Sequence, residues 1–488
     1  MLGNNVWFKA PQFSIDSTQN GAHVNILSQA RSILIEGFSF WDLLVSNEIG
    51  VDKLTIDSAN IHITLPQEKP YQNSQKEINL FVKEIFTSIR VKQLELVDVN
   101  VVVTKRNRPD TILILNHFEL KADEVLVDTA TVTNIFPLSF QRSEVRINEM
   151  KFTTQGEYLL SGKNLLIKDT SLMLSNLKLS SIYSKKEFTS HQQYEKARIE
   201  LNVTKLISRN LLWDYDEQGF SVYSSKSNLE KPFLSVYKDK RPPDQPKQVK
   251  PLLTELIRKL PFILTIDTIT ASDSYIEYEQ FPVQFPRSGK VFFDNMYISA
   301  YNLSNDSMRI GHQSDMTIDV QTDFMGQSRL TTNINLDLAS PKQEFSVSGK
   351  LGSLPVTYIN QVMTPLVGVT AEGTIHKLIF DFAGNEYKAT GGLQCEYSDL
   401  KVTMFDDGRD KELIRSMFGN LLLKNNNQKD DTLNYKEGEI YFIRYQNKDF
   451  FNYLWNSVRV GLMDIVVPFY QNPDLRSPPT DPKFKEDS

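Results

Sequence analysis

The chain has 488 residues, with 54 Lys and Arg against 60 Asp and Glu, a formal charge of −6. A chain of that length divides into two or more cores, and its charge balance gives no basis for recruiting nucleic acid or an anionic bilayer. A single cysteine, Cys395, excludes an intrachain disulfide, and no run of about 18 apolar residues supplies a membrane-spanning helix.

The first residues, Met1 to Lys9, read neither as a signal peptide nor as an anchor and pass almost directly into strand-like sequence. Alternation of apolar and polar residues begins at 24–36. It continues in a bent unit at 51–65, where Val51, Leu54, Ile56, Ile61 and Ile63 are split by a short polar break. The unit returns 40 positions later as Val91, Leu94, Leu96, Val101 and Val103, and Asn60 is matched by Asn100. A third copy starts at Ile266, with Ile269, Ala271, Ile276 and Tyr278 at the same offsets. Such a unit is a strand that bends at a corner or bulge and resumes.

Further alternating segments cover 111–128, 143–154, 165–182, 197–206, 264–280, 289–303, 316–338, 343–351, 373–382, 388–404 and 438–446, with short breaks rich in Asn, Asp, Ser, Thr and Gly. That punctuation predicts a mainly β protein built as a mostly antiparallel meander. Amphipathic helices are expected at 75–89, 251–260, 410–423 and 449–467, with a shorter one at 356–363. They are expected to pack at the ends and edges of the sheet. The aromatic last stripe, Phe450, Phe451, Leu454, Trp455, Val458, Leu462, Ile465 and Val466, is the one most suited to a membrane surface, though its polar face holds only Arg459 as a cation. The charged, proline-bearing stretch 238–249 reads as a linker between an N-terminal region of bent repeats, 1–237, and a C-terminal β region, 250–467. The tail 468–488 reads as disordered.

Motifs that carry chemistry are missing. The six histidines never come within four residues of one another, so no zinc pattern forms. Asp214, Asp216 and Gly219 open like a calcium loop, but position twelve is Ser225 where Glu is required, and a turn is the simpler reading. Neither a nucleophile elbow nor a phosphate-cradling glycine loop is present, and Gly391-Gly392 reads as a sheet bend. Cys395 sits among alternating apolar residues as a small buried side chain. The expectation is therefore a non-enzymatic protein with no catalytic residue, no metal and no cofactor.

Beyond the linker, the runs Gly349-Lys-Leu-Gly-Ser-Leu354, Pro365-Leu366, Gly373-Thr-Ile-His-Lys-Leu-Ile-Phe-Asp-Phe382, Thr390-Gly-Gly-Leu393, Glu396-Tyr-Ser-Asp-Leu-Lys-Val402 and Phe450-Phe-Asn-Tyr-Leu-Trp455 follow one another. This series resembles the C-terminal region of the AsmA-like superfamily, in its Bacteroidetes-type branch of unknown function, distantly related to the translocation and assembly module TamB. Residues 250–467 carry the likeness, and 20–205 share it more loosely through the bent repeat. The resemblance implies an elongated, curved sheet with an apolar groove and a periplasmic protein associated with the inner membrane. It also implies a role in outer-membrane lipid homeostasis or lipid transport. The chain departs from the family pattern in lacking an anchor helix. On that reading Leu54, Ile56, Ile61, Ile63, Leu94, Leu96, Val101 and Val103 line the groove. The partner is then a phospholipid or another acyl-chain lipid, with no nucleic acid. The alternative is an assembly factor whose exposed β-edges engage envelope membrane proteins.

Overall fold

A computed structural model describes residues 5–19, 22–38, 48–65, 88–105, 108–128, 139–154, 157–216, 219–244, 249–404, 423–467, 470 and 472–476. Among the described residues, strands account for 63% and helices for 13%. The chain divides into two compact units, Met1–Ile182 with Asn202–Ser224, and Tyr183–Leu201 with Ser225–Ser488.

In chain order the strands are β1 (Val6–Lys9), β2 (Gln12–Gln19), β3 (Ala22–Gln29), β4 (Ser32–Glu36), β5 (Glu48–Asp57), β6 (Asn60–Leu65), β7 (Ser88–Lys105), β8 (Arg108–Asp128), β9 (Arg142–Thr154), β10 (Tyr158–Lys168), β11 (Ser171–Ser181) and β12 (Ala197–Arg209). They continue as β13 (Leu212–Asp216), β14 (Gly219–Glu230), β15 (Phe233–Asp239), β16 (Ile263–Phe281), β17 (Gly289–Ser304), β18 (Asp315–Phe324), β19 (Ser328–Asp337), β20 (Phe345–Leu351), β21 (Leu354–Pro355), β22 (Val369–Gly384), β23 (Lys388–Met404) and β24 (Gly438–Ile443). The helices are α1 (Lys185–Ser190), α2 (Leu253–Arg258), α3 (Ser307–His312), α4 (Asn360–Val367), α5 (Phe450–Val466) and α6 (Pro473–Arg476).

The first unit orders β4, β5, β7, β8, β9, β10 and β11 side by side, with β6 continuing β5 along the same edge of β7. The two closest sequence repeats lie next to each other in parallel: Leu54 pairs with Leu94, Ile56 with Leu96, Ile61 with Val101 and Ile63 with Val103. An antiparallel meander alone cannot produce this. Each residue of one copy sits beside its counterpart 40 positions on, so like packs on like in every register. An amide ladder follows, Asn100 Nδ2 donating to Asn60 Oδ1 at 3.3 Å.

The polar break within each repeat is a single left-handed residue: Ser58 has φ 51°, Asp98 54° and Asp273 52°, each at the same offset in its copy. Short polar side chains accept that conformation best, which is why the position is Ser or Asp. His117, Asn164 and Asn176 bend β8, β10 and β11 in the same way. Backbone bonds span the corner, Ser58 N to Val97 O at 2.8 Å and Asn100 N to Ala59 O at 2.7 Å. The strand therefore turns without losing its ladder.

The second unit runs β15–β16–β17–β18–β19–β20–β22–β23–β24. Its opening pair β15–β16 is parallel, and the rest are antiparallel. One large core gathers Leu336, Leu354, Phe382, Leu393, Tyr397, Phe442, Phe450 and Tyr453, all at most 3% exposed. Helix α5 starts at the N-cap Asp449, whose carboxylate accepts from Asn452 N at 2.9 Å. It comes close to β24 because Gly438 faces Gly461, and a Cβ on Gly438 would lie 2.2 Å from the Gly461 carbonyl. Phe345 meets Phe450 and Tyr453 edge-on at 5.1 and 5.5 Å.

Several sequence expectations change. Lys238 and Asp239, read as the start of a linker, are instead the buried end of β15, paired with Gln280 and Phe281. Part of the stretch read as a disordered tail packs on the second unit: Pro473–Arg476 form α6, Asn472 and Asp474 are buried, and Asp474 accepts from Ile443 N at 2.8 Å. Helix α2 turns Leu252, Leu253 and Ile257 into the core but leaves Leu256 half exposed. In α5 the stripe splits, with Phe450 and Ile465 buried while Phe451 and Trp455 stand out at 69% and 55% exposure. The helices expected at 75–89 and 410–423 fall outside the described residues, except that Ser88 and Ile89 open β7 and Leu423 follows the second gap outside any helix.

Candidate functional site

Strand register in the first unit joins the repeat residues into rows that cross the sheet at right angles to the strands. One row reads Phe8, Ile33, Ile56, Leu96, Leu120, Val145, Ile167 and Leu172, one residue from each of β1, β4, β5, β7, β8, β9, β10 and β11. Every member is apolar, and none is fully buried. On the far side of the bend a second row reads Ile26, Ile63, Val103, Leu113, Phe152, Leu160 and Leu179. Neighbouring strands lie about 4.8 Å apart, so the first row runs for roughly 34 Å.

Leu54 and Leu94 lie one step along from Ile56 and Leu96 on the same strand face, and they pack on Val51, Val91, Ala122 and Val125. Ile56, Leu96, Ile61 and Val101 pack on Ala30, Ala59 and Val99. The bend thus keeps its apolar side: residues before and after it share one cluster. Among the described residues these two clusters hold four and three buried residues, against 22 in the second unit's core. The residues of the first row are themselves only part-buried. In β5, β7, β8 and β9 the alternate positions are mostly polar, with Lys53 Nζ 3.0 Å from Glu95 Oε2.

The residues named for possible chemistry stand apart. Cys395 is buried among the second unit's core residues, and that burial pushes its thiol up to about 12. His117 Nδ1 lies 2.6 Å from Asp98 Oδ1 at the bend, and His376 Nε2 lies 3.0 Å from Ser398 Oγ. Asp214 and Asp216 belong to a hairpin, where Asp216 pairs with Gly219. Among the described residues no group of three or more His, Cys, Asp or Glu is placed to hold a metal. Gly391 is a point of close packing: a Cβ there would meet the Asp381 carbonyl at 2.2 Å.

Sequence reading missed a buried ionic cluster in the second unit. Glu195, with its side chain 3% exposed, lies between Lys238 Nζ at 2.5 Å and Lys240 Nζ at 2.9 Å. Asp244 pairs with Lys448, and Asn447 Nδ2 donates to the same carboxylate oxygen at 3.1 Å. Burial works against the Glu195 carboxylate, but the two lysines outweigh it and hold the group below its ordinary value. Burial is also the main cause lowering Lys240, followed by repulsion from Lys238. No local pattern marks these residues, because the partners lie 45 and 204 positions apart.

No protein-family model and no curated protein matches this sequence.

Proposed function

We propose that this chain binds lipid acyl chains along the apolar rows of its first unit, as a non-enzymatic protein of the bacterial periplasm that supports outer-membrane lipid homeostasis. The observation that carries the reading is the row from Phe8 to Leu172: eight successive strands each supply an apolar side chain, and all eight stay part-exposed. An acyl chain lying across the strands meets only hydrocarbon. Each methylene removed from water contributes about 0.8 kcal/mol, so ten of them give a gross gain of about 8 kcal/mol before the cost of immobilising the lipid. The headgroup remains in water, so recognition needs no converging polar residues. The resemblance to the AsmA-like superfamily supports the periplasmic setting. Among the described residues no helix is long and apolar enough to cross a membrane.

The experiment is purification without detergent, followed by mass spectrometry of organic extracts. Co-purifying phospholipid near one or more molecules per chain is expected. A lipid-free protein that also takes up no phospholipid from vesicles would end this reading.

A further inference from the structure

We propose that the Lys250 corner of the second unit binds a phosphate-class anion, a site separate from the apolar rows and independent of the acyl-chain reading. Four lysines converge there, Lys238, Lys240, Lys250 and Lys448, and the carboxylates within reach are already engaged. Both oxygens of Glu195 accept from Lys238 and Lys240, at 2.5 and 2.9 Å. Asp244 takes Lys448 and Asn447. Asp449 caps α5 through Asn452 N at 2.9 Å. Lys250 is fixed at its backbone, where its N–H donates to Gln446 O at 2.8 Å and its carbonyl accepts from Arg444 Nη2. Its ammonium has no hydrogen-bond or ion-pair partner among the described residues, although the side chain is part-buried.

A part-buried ammonium with no carboxylate in direct contact is costly unless it loses its proton or gains an anion. Burial, then repulsion by Lys238, lowers Lys250, and the more distant pull of Glu195, Asp449 and Asp244 does not make up for it. An anion seated against it would remove that pressure. The cluster is part-open to solvent: the Lys238, Glu195 and Lys448 side chains are at most 5% exposed, whereas Lys240 is 22% and Asp244 33% exposed. Ammonium groups act as point charges that suit a many-oxygened anion, whereas a planar carboxylate is matched better by a guanidinium fork. Phosphate, free or in a lipid headgroup, fits that chemistry.

The test is calorimetric titration of protein freed of phosphate, at matched ionic strength. Sodium phosphate serves as one probe and dihexanoylphosphatidylglycerol below its micellar concentration as the other, with thermal melts in parallel. Wild type is expected to bind at least one probe and to melt higher with it. Both binding, or phosphate alone, identifies a free anion; the lipid alone identifies a headgroup. Lys250→Met should weaken binding at least about tenfold, in line with a charged hydrogen bond, and should melt no lower than wild type without ligand. Lys250→Arg should keep binding within a few-fold, and Lys259→Met, an exposed lysine of an i,i+4 pair, should change nothing. Neither probe binding wild type, or Lys250→Met binding as wild type does, overturns the proposal. If Lys250→Met does not fold, tenfold weaker binding by Lys250→Arg overturns it instead.

Discussion

Replacing Glu195 by Gln removes one charge and almost no volume, which isolates the electrostatics of the buried cluster. The Glu195 and Lys238 side chains are 3% and 5% exposed and 2.5 Å apart, and Lys240 Nζ is 2.9 Å from the other oxygen. Without the carboxylate, Lys238 becomes a buried ammonium beside a second lysine. Breaking one side of such a pair costs about 3–5 kcal/mol, a large share of the roughly 5–15 kcal/mol that holds a domain together. Because the folded-state carboxyl is held below its ordinary value, its contribution is fully present above the unfolded pKa of about 4.3. It is lost as pH falls through the folded value. Glu195→Gln should therefore be less stable at pH 7 and lose less than wild type on acidification below about 4.3. Hydrogen exchange in urea reads this locally on β15 and β16, with β7 and β8 of the first unit as an internal reference. Adding Lys238→Met should recover much of the loss, since the orphaned charge goes with it. A loss below about 1 kcal/mol, the value of an exposed pair, would refute the argument.

Two further substitutions test the backbone. Asp98→Val forces a β-branched residue to hold φ 54° and removes the contact with His117, so it should cost about 1–2 kcal/mol, while Asp98→Gly should stay within about 1 kcal/mol of wild type. Urea midpoints decide it, and a valine variant as stable as wild type contradicts the bend geometry. Gly391→Ala drives a Cβ to within 2.2 Å of the Asp381 carbonyl and should cost about 1–3 kcal/mol, whereas Gly392→Ala meets nothing within 4 Å and should be neutral or slightly stabilising. The reverse order in thermal melts would show that the two glycines are assigned the wrong roles.

The bent repeat was legible because its cause is local: a period-2 stretch, one short polar residue able to hold a positive φ, then the period again. What alternation does not encode is which strand lies beside which. Leu54 and Leu94 look the same whether their strands are neighbours or far apart, and only pairing in register makes them part of a row. The clue was the quality of the match between copies, since Asn60 and Asn100 form a side-chain ladder only when stacked in parallel. Leu120, Val145 and Ile167 complete the row from strands that repeat nothing, so no self-comparison reveals them. The ionic cluster was hidden more deeply. Lys238, Lys240 and Lys250 are set in the company of prolines and other charges, which locally means solvent, and only Glu195, Asp244 and the turn before α5 bring them inside.

The central claim is that the row through Leu96 is a lipid-contacting face and not a closed core. Leu96→Lys tests it directly, because a side chain on a part-open face can bend its ammonium to water while its stem covers the same surface. The measurement is cross-linking to a phospholipid with a photoreactive acyl chain, read by mass spectrometry against the thermal melt of the same protein. Wild type is expected to be labelled at residues of the row, and Leu96→Lys to lose the labelling while its melting temperature stays within a few degrees. Undiminished labelling in the variant, or its outright unfolding, would contradict it.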